Sequence, residues 1–167
     1  MKVLAIDPGY DRLGIAVVEN SPQCEVVHFS TCLTTDKNLS LAQRILIIGD
    51  EIEKLILSYA PDSVAIETLF FNKNVKTAIG VAQARGVILY LAQKHNCEIY
   101  ELGPQQIKVA ITGYGKSDKS AVNVMLQKLC RNIPPKALDD EYDAIAVGVT
   151  CLAYYGKKSQ SPHIRGK

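Results

Sequence analysis

Short apolar runs and longer helical stripes follow one another along this chain in an order that defines a fold class. Val3-Leu4-Ala5-Ile6 is an apolar run closed by Asp7 and broken by Pro8-Gly9, which predicts a buried strand over Lys2–Asp7. Leu13 to Glu19 predicts a second strand and Asn20-Ser21-Pro22 a turn. Cys24 to Leu33, rich in β-branched and aromatic residues, predicts a third strand. Short links make these three an antiparallel meander. Leu41, Ile45, Ile48, Ile52, Leu55 and Tyr59 then recur every three or four residues, the signature of an amphipathic helix, which Pro61-Asp62 stops.

Ser63 to Ile66 predicts a short strand, and Val75 to Lys94 a second long helix. Gly80, Ala82, Ala84 and Gly86 lower the helicity of this segment but permit close approach of another element. Glu98-Ile99-Tyr100 predicts a brief strand. Pro104 opens a helix that ends near Gly113, and Ser117 is placed to cap a further helix through Val122, Met125 and Leu129. Beyond Pro134-Pro135 a final helix is predicted from Leu138 to Tyr155. Three antiparallel strands, then two parallel strands interleaved with helices, define an α/β fold: a mixed five-stranded sheet with helices on both faces. Residues 1–155 are predicted to be a single domain and 156–167 a basic, flexible tail.

Composition narrows the function classes. The chain has 167 residues, 47% hydrophobic and 22% charged, which is globular and of single-domain size. A net charge of +2 neither demands nor excludes nucleic acid. The five cysteines and three histidines are scattered, with no C-x-x-C pair and no zinc-ligand spacing, so free thiols in a reducing cytosol are expected. The apolar run after Lys2 is too short for a signal peptide, and the uncharged stretch after Asp143 is too short to span a bilayer. A cytoplasmic, non-membrane protein is expected.

Four acids carry the chemistry. Asp7 and Glu67 each close an apolar strand, while Asp140 and Asp143 stand three residues apart at the start of the last helix. Each has an ordinary structural explanation: a turn organiser in Asp-Pro-Gly, a solvated strand end, or first-turn acids favoured by the helix dipole by about 0.3–1 kcal/mol. As a set they read differently. Asp140 and Asp143 continue the stripe of Ala144, Val147, Cys151 and Tyr154, the face expected to pack on the sheet where Asp7 and Glu67 leave it. Two carboxylates about 5 Å apart repel by roughly 3 kcal/mol at an effective dielectric near 20. Four would raise their own pKa values or recruit a cation, and oxygen-only ligands suit Mg²⁺ or Mn²⁺. Two such ions can hydrolyse a phosphodiester.

Ile6-Asp7-Pro8-Gly9, Ala65-Ile66-Glu67, Gln83-Ala84-Arg85-Gly86, Lys116-Ser117-Asp118-Lys119-Ser120 and Asp140-x-x-Asp143-Ala144 stand in that order. This set closely resembles the RuvC family of bacterial Holliday-junction endonucleases, which has a ribonuclease-H-like fold, over Lys2 to about Ala153. The resemblance implies that Asp7, Glu67, Asp140 and Asp143 are catalytic and hold two Mg²⁺ ions per subunit, with Mn²⁺ able to substitute. It implies a homodimer that nicks opposed strands of a four-way DNA junction symmetrically, in recombination and repair. Such an enzyme leaves 5′-phosphate and 3′-hydroxyl ends and cooperates with the RuvA–RuvB branch-migration motor. Asp140 rather than Asp139 is assigned to the set, because its neighbour points about a hundred degrees away on a helix.

Phe70 and Phe71 follow Glu67 in a loop that also holds Lys73, Asn74 and Lys76. Either ring could fill the core; alternatively one stacks on unpaired bases while lysines meet phosphates. The resemblance selects Phe70 for stacking, with Lys73 beside it. Lys108, Lys116 and Lys119 cluster in sequence around Gly113-Tyr114-Gly115 and are candidate phosphate contacts, with family matches at Lys108 and Lys119. Gly115-Lys116-Ser117 is no P-loop, since Ala110 stands where glycine is required. The resemblance also places the small-residue helix from Val75 near a dimer interface. Two alternatives remain. One is an actin- or sugar-kinase-like ATPase lobe, which shares Asp7-x-Gly9 and Gly14 but needs a second lobe; the other is a non-catalytic junction-binding module.

Overall fold

The computed structural model describes residues 1–68 and 75–156. Its strands are β1 (Lys2–Asp7), β2 (Arg12–Asn20), β3 (Glu25–Thr34), β4 (Ser63–Glu67), β5 (Glu98–Leu102) and β6 (Cys130–Arg131). Its helices are α1 (Leu41–Tyr59), α2 (Val75–Lys94), α3 (Pro104–Thr112), α4 (Lys119–Leu129) and α5 (Asp139–Tyr155). Among the described residues the sheet has six strands in the order β5-β4-β1-β2-β3-β6. The predicted meander is β1-β2-β3, antiparallel throughout, and β4 and β5 run parallel to β1. The sixth strand is an addition to the five expected: Cys130 and Arg131 pair in parallel with Glu25 and Val26 at the sheet edge. Two residues carry too little pattern to announce a strand.

Alternation along β1 explains its central place. Val3 and Ala5 face the layer formed by α3, α4 and α5, whereas Leu4 and Ile6 face α1 and α2, and all four are fully buried. A strand covered on both faces must be apolar at every position, and each large side chain so buried contributes about 1.5–3 kcal/mol. α5 lies along β1 and β2, and Gly148 lets it come close. A Cβ there would stand 2.7 Å from Val18 Cγ2 and 3.1 Å from Ala5 Cβ.

Local stop and start signals behave as their chemistry dictates, with one correction. Ser40 caps α1 in a reciprocal pair with Gln43, and α3 begins at Pro104 and ends on left-handed Gly113. Ser117 does not cap α4. Its hydroxyl pairs with Thr112 Oγ1 at 2.7 Å, and Asp118 caps instead by accepting from the Ala121 amide at 2.8 Å. The stripe on α5 holds through Ala144, Val147 and Cys151, all buried, but Tyr154 is exposed. It is Tyr155 that turns to the sheet side and stacks on Tyr100, with ring centroids 4.0 Å apart. All five cysteines are free. Among the described residues no helix is long and apolar enough to cross a membrane.

Candidate active site

Three elements gather the four acids. β1 and β4 are parallel neighbours, with Ile6 level with Ile66, so Asp7 and Glu67 leave the sheet side by side. Across the other edge of β1, Asp7 is level with Gly14 of β2. The first turn of α5 rests on that glycine: a Cβ at Gly14 would collide with the Asp140 carbonyl oxygen and come within 3.1 Å of Asp7 Cβ. Absence of a side chain at Gly14 therefore brings the Asp140–Asp143 turn down onto the strand that carries Asp7.

The electrostatics record how tightly the acids are grouped. Burial pushes the Asp7 carboxyl up to about 7, and the charges of Glu67, Asp143 and Asp140 add to the rise. Burial and Asp143 push Glu67 up to about 7 as well. Asp143 is raised by burial, against the opposing hydrogen bond from Lys119. Asp140 acts on both Asp7 and Asp143, whereas Asp139, whose side chain is 68% exposed, acts on Asp143.

Two cations are built into the cluster. Arg12 is ion-paired with Asp140. Lys119 donates to Asp143 at 2.8 Å and lies 3.4 Å from Asp139. Cys32 adds a weak thiol contact to Asp140 at 3.8 Å. With Asp140 and Asp143 so engaged, no three carboxylate, imidazole or thiol groups among the described residues close into a ready metal cage. The donor chemistry nonetheless fits a hard divalent ion. All ligand candidates are carboxylate oxygens, and burial together with the neighbouring carboxylates pushes two of them up to about 7, the direction that a bound cation would reverse.

A groove of about 230 Å³ opens beside the acids, lined in part by Glu67, Asp143, Lys108 and Lys119. The structure thus brings two of the predicted lysines to the carboxylates. Lys116 is exposed and does not line this groove. Phe70 and Lys73, with Phe71 and Asn74, lie outside the described residues, as does the tail from 157 onward. Sequence reasoning missed Arg12 and Gly14. The signal for Gly14 was its place opposite Asp7 in a predictable hairpin; Arg12 gave none, since nothing local distinguishes it from a solvated turn residue.

The small residues of α2 divide by role. Ala84 is buried in the core, and Gly80 lies under the ring of Tyr10, whose Cε1 a Cβ would meet at 2.8 Å. Gly86 is open, with nothing within 4 Å of a Cβ, and it borders an apolar groove of about 560 Å³ between α1 and α2. Ile45, Val87 and Tyr90 also line that groove.

Comparison with known proteins matches residues 3–151 to the family model described as crossover junction endodeoxyribonuclease RuvC. A protein of that name from Thermosipho melanesiensis is 46% identical over 154 residues, covering 92% of this chain and 97% of the relative. Another from Fusobacterium nucleatum is 39% identical, covering 95% of this chain and 83% of the relative. Among solved structures, T. thermophilus RuvC in complex with a Holliday junction substrate superposes with a TM-score of 0.88 at 26% identity, covering 95% and 97% of the two chains.

Proposed function

Because the chain belongs to the RuvC family of crossover junction endodeoxyribonucleases, we propose that it resolves four-way DNA junctions by paired, symmetric phosphodiester hydrolysis. In this reading Asp7, Glu67, Asp140 and Asp143 hold two Mg²⁺ ions, and Mn²⁺ substitutes. The observation that carries it is the pair Asp7 and Glu67, side by side on adjacent parallel strands, each with a carboxyl pushed up to about 7. Arg12 and Lys119 offset the charge of Asp140 and Asp143, and a bound divalent cation would offset that of Asp7 and Glu67.

The chemistry such ions supply is activation of a water and stabilisation of the leaving 3′ oxygen. The chain's own groups do the rest. Asp140 and Asp143 would be the ligands supplied by α5, and Lys119, which stands against Asp143, is placed to neutralise a non-bridging phosphate oxygen next to the scissile bond. Lys108, in the same groove, holds the adjoining backbone. Lys116, Lys73 and Phe70 extend the contact, the ring by stacking on a base unpaired at the junction centre. Both helix positions of the acid set are Asp, so neither Asp140 nor Asp143 supplies an imidazole as general base.

A second copy of the chain completes the enzyme, its twofold axis matching that of the junction. The α1–α2 groove supports this. It is apolar, its floor at Gly86 is open, and Tyr90, Ile79 and Leu46 nearby on the same two helices are each more than half exposed. In the same reading the enzyme cooperates with the RuvA–RuvB motor in the bacterial cytoplasm. An ATPase lobe is disfavoured, since the family match covers residues 3–151 as a nuclease.

The test compares wild type with Asp7→Asn on a mobile synthetic junction, with and without Mg²⁺. Paired nicks that need Mg²⁺ and vanish in the variant, while binding persists, are expected. Cleavage untouched by the substitution overturns the reading.

A further inference from the structure

The acids are bordered by a second open groove, of about 540 Å³, that shares Asp140 with them and is lined by Tyr10, Arg12 and Lys37. It is walled by the β1–β2 turn and the end of β3, whereas the groove of Lys108 and Lys119, which takes in Glu67 and Asp143, is walled by β4, α3, α4 and α5. The carboxylates therefore stand between two grooves, each with two cations on its wall. A polyanionic strand crossing a hydrolytic centre presents phosphates on both sides of the scissile one. We propose that Arg12 and Lys37 form a second phosphate-binding track, which grips the DNA backbone on the far side of the cleaved bond from Lys108 and Lys119.

The turn that carries Arg12 is built to be rigid. Arg44, 6% exposed, lies beneath it with its guanidinium 4.6 Å from the Tyr10 ring centroid. Arg44 donates to Thr35 Oγ1 at 2.8 Å and to the Tyr10 carbonyl at 3.2 Å, and it is ion-paired with Asp11. Thr35 adds a hydroxyl bond to the Tyr10 carbonyl at 2.6 Å and an amide bond to the Asp11 carbonyl at 3.1 Å. The Tyr10 ring is wedged against Gly80 of α2.

This framework has an electrostatic consequence. Asp11, the anion on the groove wall that would repel a phosphate, is neutralised by Arg44. Asp140 is neutralised by Arg12 through one guanidinium nitrogen. A guanidinium has five N–H donors in a fixed fork, so the half-exposed Arg12 keeps donors for a second oxyanion while still facing Asp140. Lys37 is exposed on the same groove and has no ion-pair partner among the described residues. With Arg44 included, the groove has three cations, Arg12, Lys37 and Arg44, against two carboxylates, Asp11 and Asp140.

This inference rests on the junction-cleaving reading for its ligand, and its test is separable from it. Binding of a synthetic four-way junction is measured in EDTA, where no cleavage occurs, over a series of salt concentrations. Removing one cation from a phosphate lowers the slope of log affinity against log salt by about 0.9. Arg12→Ala and Lys37→Ala are each expected to lower the slope by about that amount per bound subunit. Arg12→Lys should keep the slope, and a thermal melt checks that each variant folds. Slopes and affinities equal to wild type in both alanine variants overturn the track, whatever Asp7→Asn does to cleavage. Normal cleavage by Asp7→Asn overturns the metal reading and leaves the slope result standing.

Discussion

Gly14 faces the backbone carbonyl of Asp140 so closely that no side chain fits between them. Since Gly14 is also level with Asp7 across the β1–β2 ladder, this glycine sets how close the first turn of the last helix comes to the end of the first strand, as Gly148 does further along. Two of the four acids reach the other two through this contact.

Gly14→Ala should therefore damage the site more than the fold. Overpacking of this kind costs about 1–3 kcal/mol, visible as a lowered melting temperature. A displacement near 1 Å at a reacting centre lowers rate on the order of 10²-fold. Junction cleavage should fall by that order while junction binding in EDTA is retained. An alanine variant with full cleavage activity would show that α5 can lift without moving Asp140.

The raised carboxyls give the metal-free protein a particular pH dependence. Asp7 and Glu67 titrate at about 7 in the fold and near about 4 in an unfolded chain. Between those values the folded state binds more protons, so the stability linked to these groups is present below about pH 4 and lost as pH rises through about 7. In EDTA the melting temperature should fall across that window, by the equivalent of about 2–4 kcal/mol for each group if they acted alone. Asp7→Asn should flatten the fall, and Mg²⁺ should reverse it. Cleavage should rise over the same range as protons stop competing with the metal. A melting temperature that climbs from pH 4 to 7 in EDTA contradicts the assignment.

Lys119 works against those shifts, since its ammonium lowers the pKa of Asp7, Glu67 and Asp143. Replacing it by methionine removes the charge at similar length. The midpoint of the cleavage–pH profile should then move upward, in addition to any loss of rate from weaker phosphate contact. Lys119→Arg should restore the midpoint. A slower enzyme with an unmoved midpoint would confine Lys119 to DNA binding.

Much of this arrangement was legible in the residues, and the remainder was not for reasons that can be named. Asp7 and Glu67 were visible because each ends a run too apolar to lie anywhere but in a central strand, and Asp140 with Asp143 because three-residue spacing keeps them on one helical face. β6 escaped because a two-residue edge pairing depends on where α4 ends, not on local pattern. The cap of α4 moved from Ser117 to Asp118 because both residue types cap well and a tertiary contact with Thr112 decided between them. Arg12 and Gly14 owe their roles to the crossing of α5 over β2, which no local periodicity encodes.

The apolar groove between α1 and α2 makes a prediction about assembly. Tyr90 is 64% exposed on its rim. Wild type should sediment as the proposed dimer, and Tyr90→Asp should sediment as a monomer without lowering the melting temperature of the chain itself. It should also uncouple the paired nicks, leaving single ones. An unchanged dimer in the variant would move the interface elsewhere.

The claim on which the rest depends is that the gathered carboxylates hold divalent metal. Counting Mn²⁺ bound per chain by electron paramagnetic resonance, above pH 7 and without DNA, tests it most directly. Wild type should bind up to two ions, displaced by Mg²⁺, and Asp7→Asn or Glu67→Gln should lose at least one of them. Binding that is absent from wild type, or unaltered by both substitutions, contradicts the account.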